Sequence, residues 1–326
     1  MTLPAAFERS ITGQAWRWRG AGGEADDLVT QLLLARGCPF EELDAYRSPT
    51  IRAFMPDPSI FRDMESAAAR IADAVMSNEK VTIFGDYDVD GATSAALLIR
   101  LLRQLGLEAG YYIPDRLLEG YGPSGDALVS LAASGSTLVV TVDCGAQAFE
   151  ALEMAKAAGL DVIVVDHHKC AAALPVAHAL VNPNRLDEEE GAAHGHLAAV
   201  GVAWLLGAAL VRTLRARGWF TTREEPKLLD LLDIVALGTV ADVAQLRGLN
   251  RSLGLLEPDL QRRPADVGIE AAAVAAEGLQ ALEARIDRCR NVLRVKGEFA
   301  VTQIGEALVR PGDLAGKHDL VSLAPR

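Results

Sequence analysis

The side chains best suited to chemistry are carboxylates and imidazoles that follow apolar runs. In VTIFGDYDVDG (81–91), Asp86 and Asp88 lie two residues apart. Extended backbone puts them on one face, and Asp90 continues the row. Three carboxylates this close repel one another unless cations or hydrogen bonds offset their charge. TLVVTVDCG (137–145) ends in Asp143, DVIVVDHHK (161–169) in Asp166, His167 and His168, and LLDIVALGTVADVAQL (231–246) carries Asp242 just past Gly238. Carboxylate oxygen with imidazole nitrogen suits Mn²⁺, Zn²⁺ or Fe²⁺, whereas an all-oxygen set suits Mg²⁺ or Ca²⁺. Five or six ligands exceed the need of one cation with an open position. They fit two cations sharing a bridging carboxylate, about 3.5–4 Å apart in typical two-metal hydrolases. Such a pair activates water and stabilises charge developing on a phosphate. In the His-His pair, one ring can bind metal while its neighbour faces substrate. An acidic turn with a helix N-cap, or a polar loop holding two histidines, explains any one of these segments alone; their recurrence behind apolar runs favours a site.

Several elements must position these groups. Near-continuous Val/Ile/Leu runs separated by helical stretches read as strands of a parallel sheet buried on both faces. Leu97, Leu98, Leu101, Leu102 and Leu105 form an apolar helical stripe after the first run. Ala148, Leu152, Ala155 and Ala158 form a weaker one after the second. Parallel strands deliver their C-terminal ends to one edge, so the acidic and imidazole groups converge there. The expected architecture is a mostly helical N-terminal preface over 1–78, with Pro56 and Pro58 ahead of a helix over 62–77. A doubly wound parallel α/β domain over 79–250 follows, then a helical tail over 251–326. In that tail, Leu279, Leu282, Ile286, Cys289 and Leu293 recur at helical spacing after an Ala-rich stretch at 271–276.

In this order, GDYDVDG, VDCG, VDHHK and GTVADV resemble the four motifs of the DHH phosphoesterase superfamily. YYIPDRLLEGYG (111–122), ALVNPNR (179–185) and HLAAVGVAWLL (196–206) are similar to its RecJ-like branch of single-stranded-DNA-specific 5′-to-3′ exonucleases. ERSITGQAW (8–16) and MPDPSIFRDMESAAARIADAV (55–75) resemble that branch's N-terminal preface. The resemblance implies metal ligation by Asp86, Asp88, Asp143, His167 and Asp242, with Asp143 as the bridge. It implies two divalent cations, Mn²⁺ first and Mg²⁺ second. His168 becomes a ligand or a contact to the scissile phosphate, and Asp90 and Asp166 support the catalytic groups. Arg116 and Tyr121 match positions that meet DNA near its 5′ phosphate, in a loop that Gly120 and Gly122 allow to approach a backbone closely. The implied substrate is single-stranded DNA in recombination and repair, with single-strand-binding protein or helicase partners. Two alternatives are a phosphodiesterase of short oligonucleotides or dinucleotides, and an inactive or partner-binding remnant. After Arg251 the resemblance stops. The second domain with its glycine- and histidine-rich signature and the oligonucleotide-binding barrel have no counterpart in 252–326, which reads as truncation or frame disruption.

At 326 residues and 50% hydrophobic content the chain can bury a core. No uninterrupted apolar run reaches the roughly eighteen residues of a membrane span, and no signal-peptide pattern opens the chain. Cys38, Cys144, Cys170 and Cys289 lack paired spacing, so they read as free thiols of a cytoplasmic protein. His194 and His196 read as loop polarity rather than a further metal pair. A net charge of −12 argues against general nucleic-acid binding, though cations would neutralise the acidic site. Arg100 and Arg103, and Arg212, Arg215 and Arg217, form either a basic rim or, more commonly, solvated helix faces.

Overall fold

The computed structural model describes Gly13 and residues 27–254. The expected helical stripe at 279–293 and, apart from Gly13, the segment 8–16 therefore lie outside the described residues. The described part of the preface, 27–78, is helical, with α1 Leu28–Ala35, α2 Leu43–Arg47, α3 Ile51–Phe54 and α4 Met64–Ser77. Helix α4 starts at Met64 rather than 62 because Asp63 adopts φ 60°. From there its carboxylate accepts from Leu180 N at 3.1 Å and from Arg185 Nη1 at 2.7 Å, tying the preface to the sheet.

The sheet has five strands, β1 Val81–Gly85, β2 Gly110–Tyr112, β3 Leu138–Val142, β4 Asp161–Val165 and β5 Ala179–Val181, in the order β2-β1-β3-β4-β5. All neighbours are parallel, in a register that aligns Ile83, Val140, Ile163 and Ala179. Every residue of β1 and β3 is buried, as their near-continuous apolar runs lead one to expect. Period-two alternation then divides them between two cores. Ile83, Val140 and Ile163 face one core with α4, α5 (Val89–Gln104) and α8 (Ala199–Ala216). Phe84, Val139 and Val164 face the other with α6 (Gly125–Ala133) and α7 (Phe149–Ala157). Helices thus cover both faces, as the doubly wound reading expects. Leu152 and Ala155 of the weaker stripe are buried, but Ala158 is exposed at the C-cap of α7.

From β1 the chain first builds β2 on one side, then crosses back to build β3 on the other. That reversal leaves a crevice at the carboxyl ends of β1 and β3, where α/β proteins place ligands. Two more helices, α9 (Leu232–Ala241) and α10 (Gly248–Gly254), complete the described chain. Helix α8 is long and apolar enough to cross a membrane by length and composition, with a mean hydropathy of 1.4 over 18 residues. Its buried side chains instead lie in the core, and burial on most sides explains its composition.

Candidate metal centre

Three strand ends and one helix end build the site. Asp86 follows β1 and is buried; Asp88 caps α5 by accepting from Gly91 N at 3.0 Å. Asp143 follows β3 with φ 62°, a left-handed backbone that turns its carboxylate to the edge. Asp166, His167 and His168 follow β4. Asp242 comes from the C-cap of α9 rather than from a strand. Ligand-capable atoms within 4.8 Å of one another form three overlapping groups: Asp86, Asp88 and Asp143; Asp143, His167 and His168; Asp90, His167 and Asp242. Asp143 and His167 each belong to two of them, so the structure brings every ligand expected from the sequence to one edge.

The orientation of each ring follows from its partners. His167 Nδ1 lies 3.0 Å from the Leu197 carbonyl oxygen, which can only accept, so Nδ1 carries the proton. In the neutral ring this leaves the Nε2 lone pair facing Asp143 Oδ1 at 3.2 Å, without hydrogen-bond alignment. His168 Nδ1 lies 2.8 Å from Asp166 Oδ1, which turns its other nitrogen away from that carboxylate. Asp166 is fully engaged. Its Oδ1 also accepts from His167 N at 2.7 Å and His168 N at 3.1 Å, and its Oδ2 from Ala146 N at 3.0 Å. Those bonds hold its carboxyl below the usual range against the upward push of burial. Asp90 does not continue the row of Asp86 and Asp88. The chain is already helical there, and its carboxylate caps α8 by accepting from Ala199 N at 2.7 Å and Val200 N at 2.9 Å. Its Oδ2 also stands 3.8 Å from His167 Nε2, behind the ligands.

Asp86 Oδ1, both Asp143 oxygens and His167 Nε2 are buried without a hydrogen-bond partner. Such atoms are costly in any fold, and a divalent cation satisfies them together. The donor set fits the metals expected from the sequence. Burial pushes Asp86 and Asp90 up to about 6 and raises Asp143 and Asp242 as well. Burial works against a charged His167, but the carboxylates of Asp143, Asp90 and Asp242 outweigh it and raise its pKa. Protons therefore occupy the cluster when cations do not. A raised carboxyl stabilises the fold fully below its ordinary value of 3.8, and that contribution is lost as pH rises through about 6. Cations replace it above that range. Thermal melts should accordingly show a larger gain from Mn²⁺ at pH 8 than at pH 5.5, and an equal gain at both contradicts this electrostatic picture.

Sequence reasoning did not single out three contributors. Asn184 Nδ2 donates to the His167 carbonyl at 2.6 Å and Asn182 Nδ2 to the His168 carbonyl at 2.8 Å, fixing the histidine turn. Both belong to the NPN of ALVNPNR, just after β5. Tyr87, between two ligands, stands beside Arg116, whose guanidinium carbon lies 4.9 Å from its ring centre. Tyr121 donates from its hydroxyl to the Asp143 carbonyl at 3.1 Å, which places the loop of Arg116 and Tyr121 beside the ligands. The other arginines considered for a basic rim are largely neutralised. Arg103 pairs with Glu108, Arg212 with Asp57 and Glu65, Arg215 with Glu225 and Arg217 with Asp73. Arg100 Nη1 is buried without a partner. His194 and His196 stand 6.1 Å apart between ring centres, and among the described residues no third ligand-capable group joins them.

Val243, directly after Asp242, has φ 57° and is 86% exposed. Its N–H bonds Val240 O at 3.1 Å and Ala244 N bonds Thr239 O at 3.2 Å, closing α9 with the paired bonds that usually have glycine at this position. A β-branched residue there is strained by about 1–2 kcal/mol. Val243→Gly should raise the unfolding free energy by about 1 kcal/mol, read from denaturant melts. A fall in stability contradicts the strain.

An all-parallel α/β sheet that gathers carboxylates and imidazole at its switch point defines a protein built to hold divalent metal. Residues 80–239 match the DHH family, N-terminal domain, and this part of the chain belongs to that family. The chain is 37% identical over 245 residues to the single-stranded-DNA-specific exonuclease RecJ of Bacillus subtilis, covering 74% of this chain and 29% of that protein. It is 42% identical over 234 residues to RecJ of Escherichia coli, covering 71% and 39%. A crystal structure of RecJ with Mn²⁺ from Thermus thermophilus superposes with a TM-score of 0.53 at 30% identity, covering 69% of this chain and 30% of that one. A second structure, of exonuclease RecJ bound to manganese, gives a TM-score of 0.51 at 35% identity, covering 59% and 46%. The chain spans only about a third of the length of these curated relatives.

Proposed function

We propose that this chain carries the phosphodiesterase core of a single-stranded-DNA exonuclease acting from the 5′ end in recombination and repair. The observation that carries the reading is the set of orphaned, buried ligand atoms on Asp86, Asp143 and His167 at the switch-point edge. Likeness to single-stranded-DNA-specific exonucleases at 37–42% identity supports the substrate.

Asp86, Asp88, Asp143, His167 and Asp242 would hold two divalent cations, Mn²⁺ first and Mg²⁺ second, with Asp143 as the bridge. Bound there, the cations supply Lewis-acid stabilisation of phosphate charge and acidify water at neutral pH. The chain's own groups do the rest. Asp166, hydrogen-bonded to Nδ1 of His168, raises the pKa of that ring. His168 can therefore keep a proton for a scissile-phosphate oxygen. Burial raises the Tyr121 hydroxyl, which stays protonated and bonded to the Asp143 carbonyl, so its exposed ring offers a stacking face to a base. Arg116 has no carboxylate partner among the described residues, and its guanidinium can grip a phosphate bidentately. Asp90 holds the start of α8, next to the Leu197 carbonyl that orients His167, and Asp166 holds the turn of His167 and His168. Single-strand-binding protein and helicases are the partners this reading calls for. The unpaired thiols of Cys38, Cys144 and Cys170 suit a cytoplasmic setting.

The test offers the purified chain, with Mn²⁺, 5′-labelled single-stranded DNA, duplex DNA and a dinucleotide. Mononucleotide release from the single strand alone is expected. Cleavage of only the dinucleotide would move the substrate to short oligonucleotides. Metal uptake without turnover on any substrate contradicts the enzymatic reading.

A further inference from the structure

We infer that Tyr87 is a positioning residue. Its ring holds the Arg116 guanidinium by the face, leaving the N–H edge for the terminal phosphate of the strand. The inference rests on the phosphodiesterase reading and adds a determinant of 5′-end preference to it.

Tyr87 lies between Asp86 and Asp88, in the bend that follows β1. It is half-buried and meets Tyr121 edge-on, with ring centres 6.4 Å apart and planes at 82°. Tyr121 in turn meets His168 edge-on at 5.9 Å and 76°. Arg116, Tyr87, Tyr121 and His168 thus form a continuous row along the metal edge. Arg116 itself is exposed, on a loop whose next residues, Leu117 and Leu118, are 76% and 85% exposed. That loop is pinned by Glu119, which accepts from the Tyr112 hydroxyl and from Asp115 N. Neither bond touches the guanidinium. The contact that fixes it is the Tyr87 ring at 4.9 Å.

The manner of holding matters. A carboxylate partner would occupy the in-plane N–H groups that a phosphate needs, as it does for Arg212, Arg215 and Arg217. A ring holds the cation through its face and leaves those donors free. The role belongs to the ring and not to its hydroxyl, so phenylalanine should serve and leucine should not.

The experiment measures binding of 5′-phosphorylated and 5′-hydroxyl oligothymidylate to the full chain by fluorescence anisotropy, with turnover followed in parallel. Tyr87→Leu should weaken binding of the phosphorylated strand roughly twofold to fivefold, the range of one exposed cation–π contact. Binding of the hydroxyl strand and Mn²⁺ uptake should stay as in the unsubstituted chain. Tyr87→Phe should keep the preference, and Tyr87→Leu added to Arg116→Ala should cost nothing more. The inference is overturned if Tyr87→Leu keeps the preference, if it weakens both strands and Mn²⁺ uptake together, or if the unsubstituted chain shows no preference. A preference that Tyr87→Leu removes, in a chain without turnover, keeps this inference while overturning the exonuclease reading. Turnover with an unaltered preference in Tyr87→Leu does the reverse.

Discussion

Asp143→Asn should remove metal-dependent hydrolysis and weaken Mn²⁺ binding by more than about 100-fold, beyond the effect of losing a supporting group around a metal. Asp143 shares two of the three ligand groups, and both its oxygens are buried without partners, so those two arrangements and any bridge between them depend on it. Asparagine isolates that dependence. It tolerates the left-handed φ of 62° that alanine would occupy only under strain. It also removes a buried acid whose pKa burial raises. The unfolded chain gives up that proton from about 3.8 upward while the folded chain holds it longer, so the acid lowers stability across that range. At pH 8 with chelator, Asp143→Asn should therefore melt at or above the temperature of the unsubstituted chain, while the stabilisation given by Mn²⁺ disappears. Retained Mn²⁺ stabilisation in this variant would show that the cations sit elsewhere.

Gly91→Ala should be the most damaging change of a single methyl group. A Cβ there would stand 2.5 Å from Asp86 O and 2.7 Å from Asp86 N, both backbone atoms that no side-chain rotation can move. The first turn of α5 rests directly on the chain leaving β1, so the helix must lift away and carry its cap Asp88 with it. Overpacking of this kind costs about 3 kcal/mol. For a unit of this size that is a fall in melting temperature of roughly 6–12 °C. Mn²⁺ uptake should fall with it, because Asp86 and Asp88 lose their spacing. Thermal melts and Mn²⁺ titration of the same sample read both effects. A variant that melts within a degree or two of the unsubstituted chain would show that this close approach does not exist. Gly238 repeats the theme between α9 and α5, where a Cβ would meet Thr93 Oγ1 at 2.3 Å.

The sheet was legible wherever burial on both faces left a near-continuous apolar run, as in β1, β3 and β4. The three-residue strands β2 and β5 carry too little pattern to stand out. The convergence of Asp86, Asp88, Asp143, His167 and His168 followed from parallel topology alone. Asp90 was misplaced because extended spacing was assumed one turn too far: the helix begins at Val89 and rotates it toward α8. Asp242 reached the site from a helix, since α9 is buried on several sides and its even apolar composition hides its period. Asn182, Asn184 and Tyr87 act through contacts across the fold, and no local pattern marks such contacts.

Mn²⁺ titration of the purified chain at pH 8, followed by electron paramagnetic resonance, addresses the centre most directly. Two Mn²⁺ per chain are expected, magnetically coupled as cations about 3.5–4 Å apart must be. A single uncoupled Mn²⁺, or no uptake by a folded sample, would contradict a shared two-cation edge bridged by Asp143.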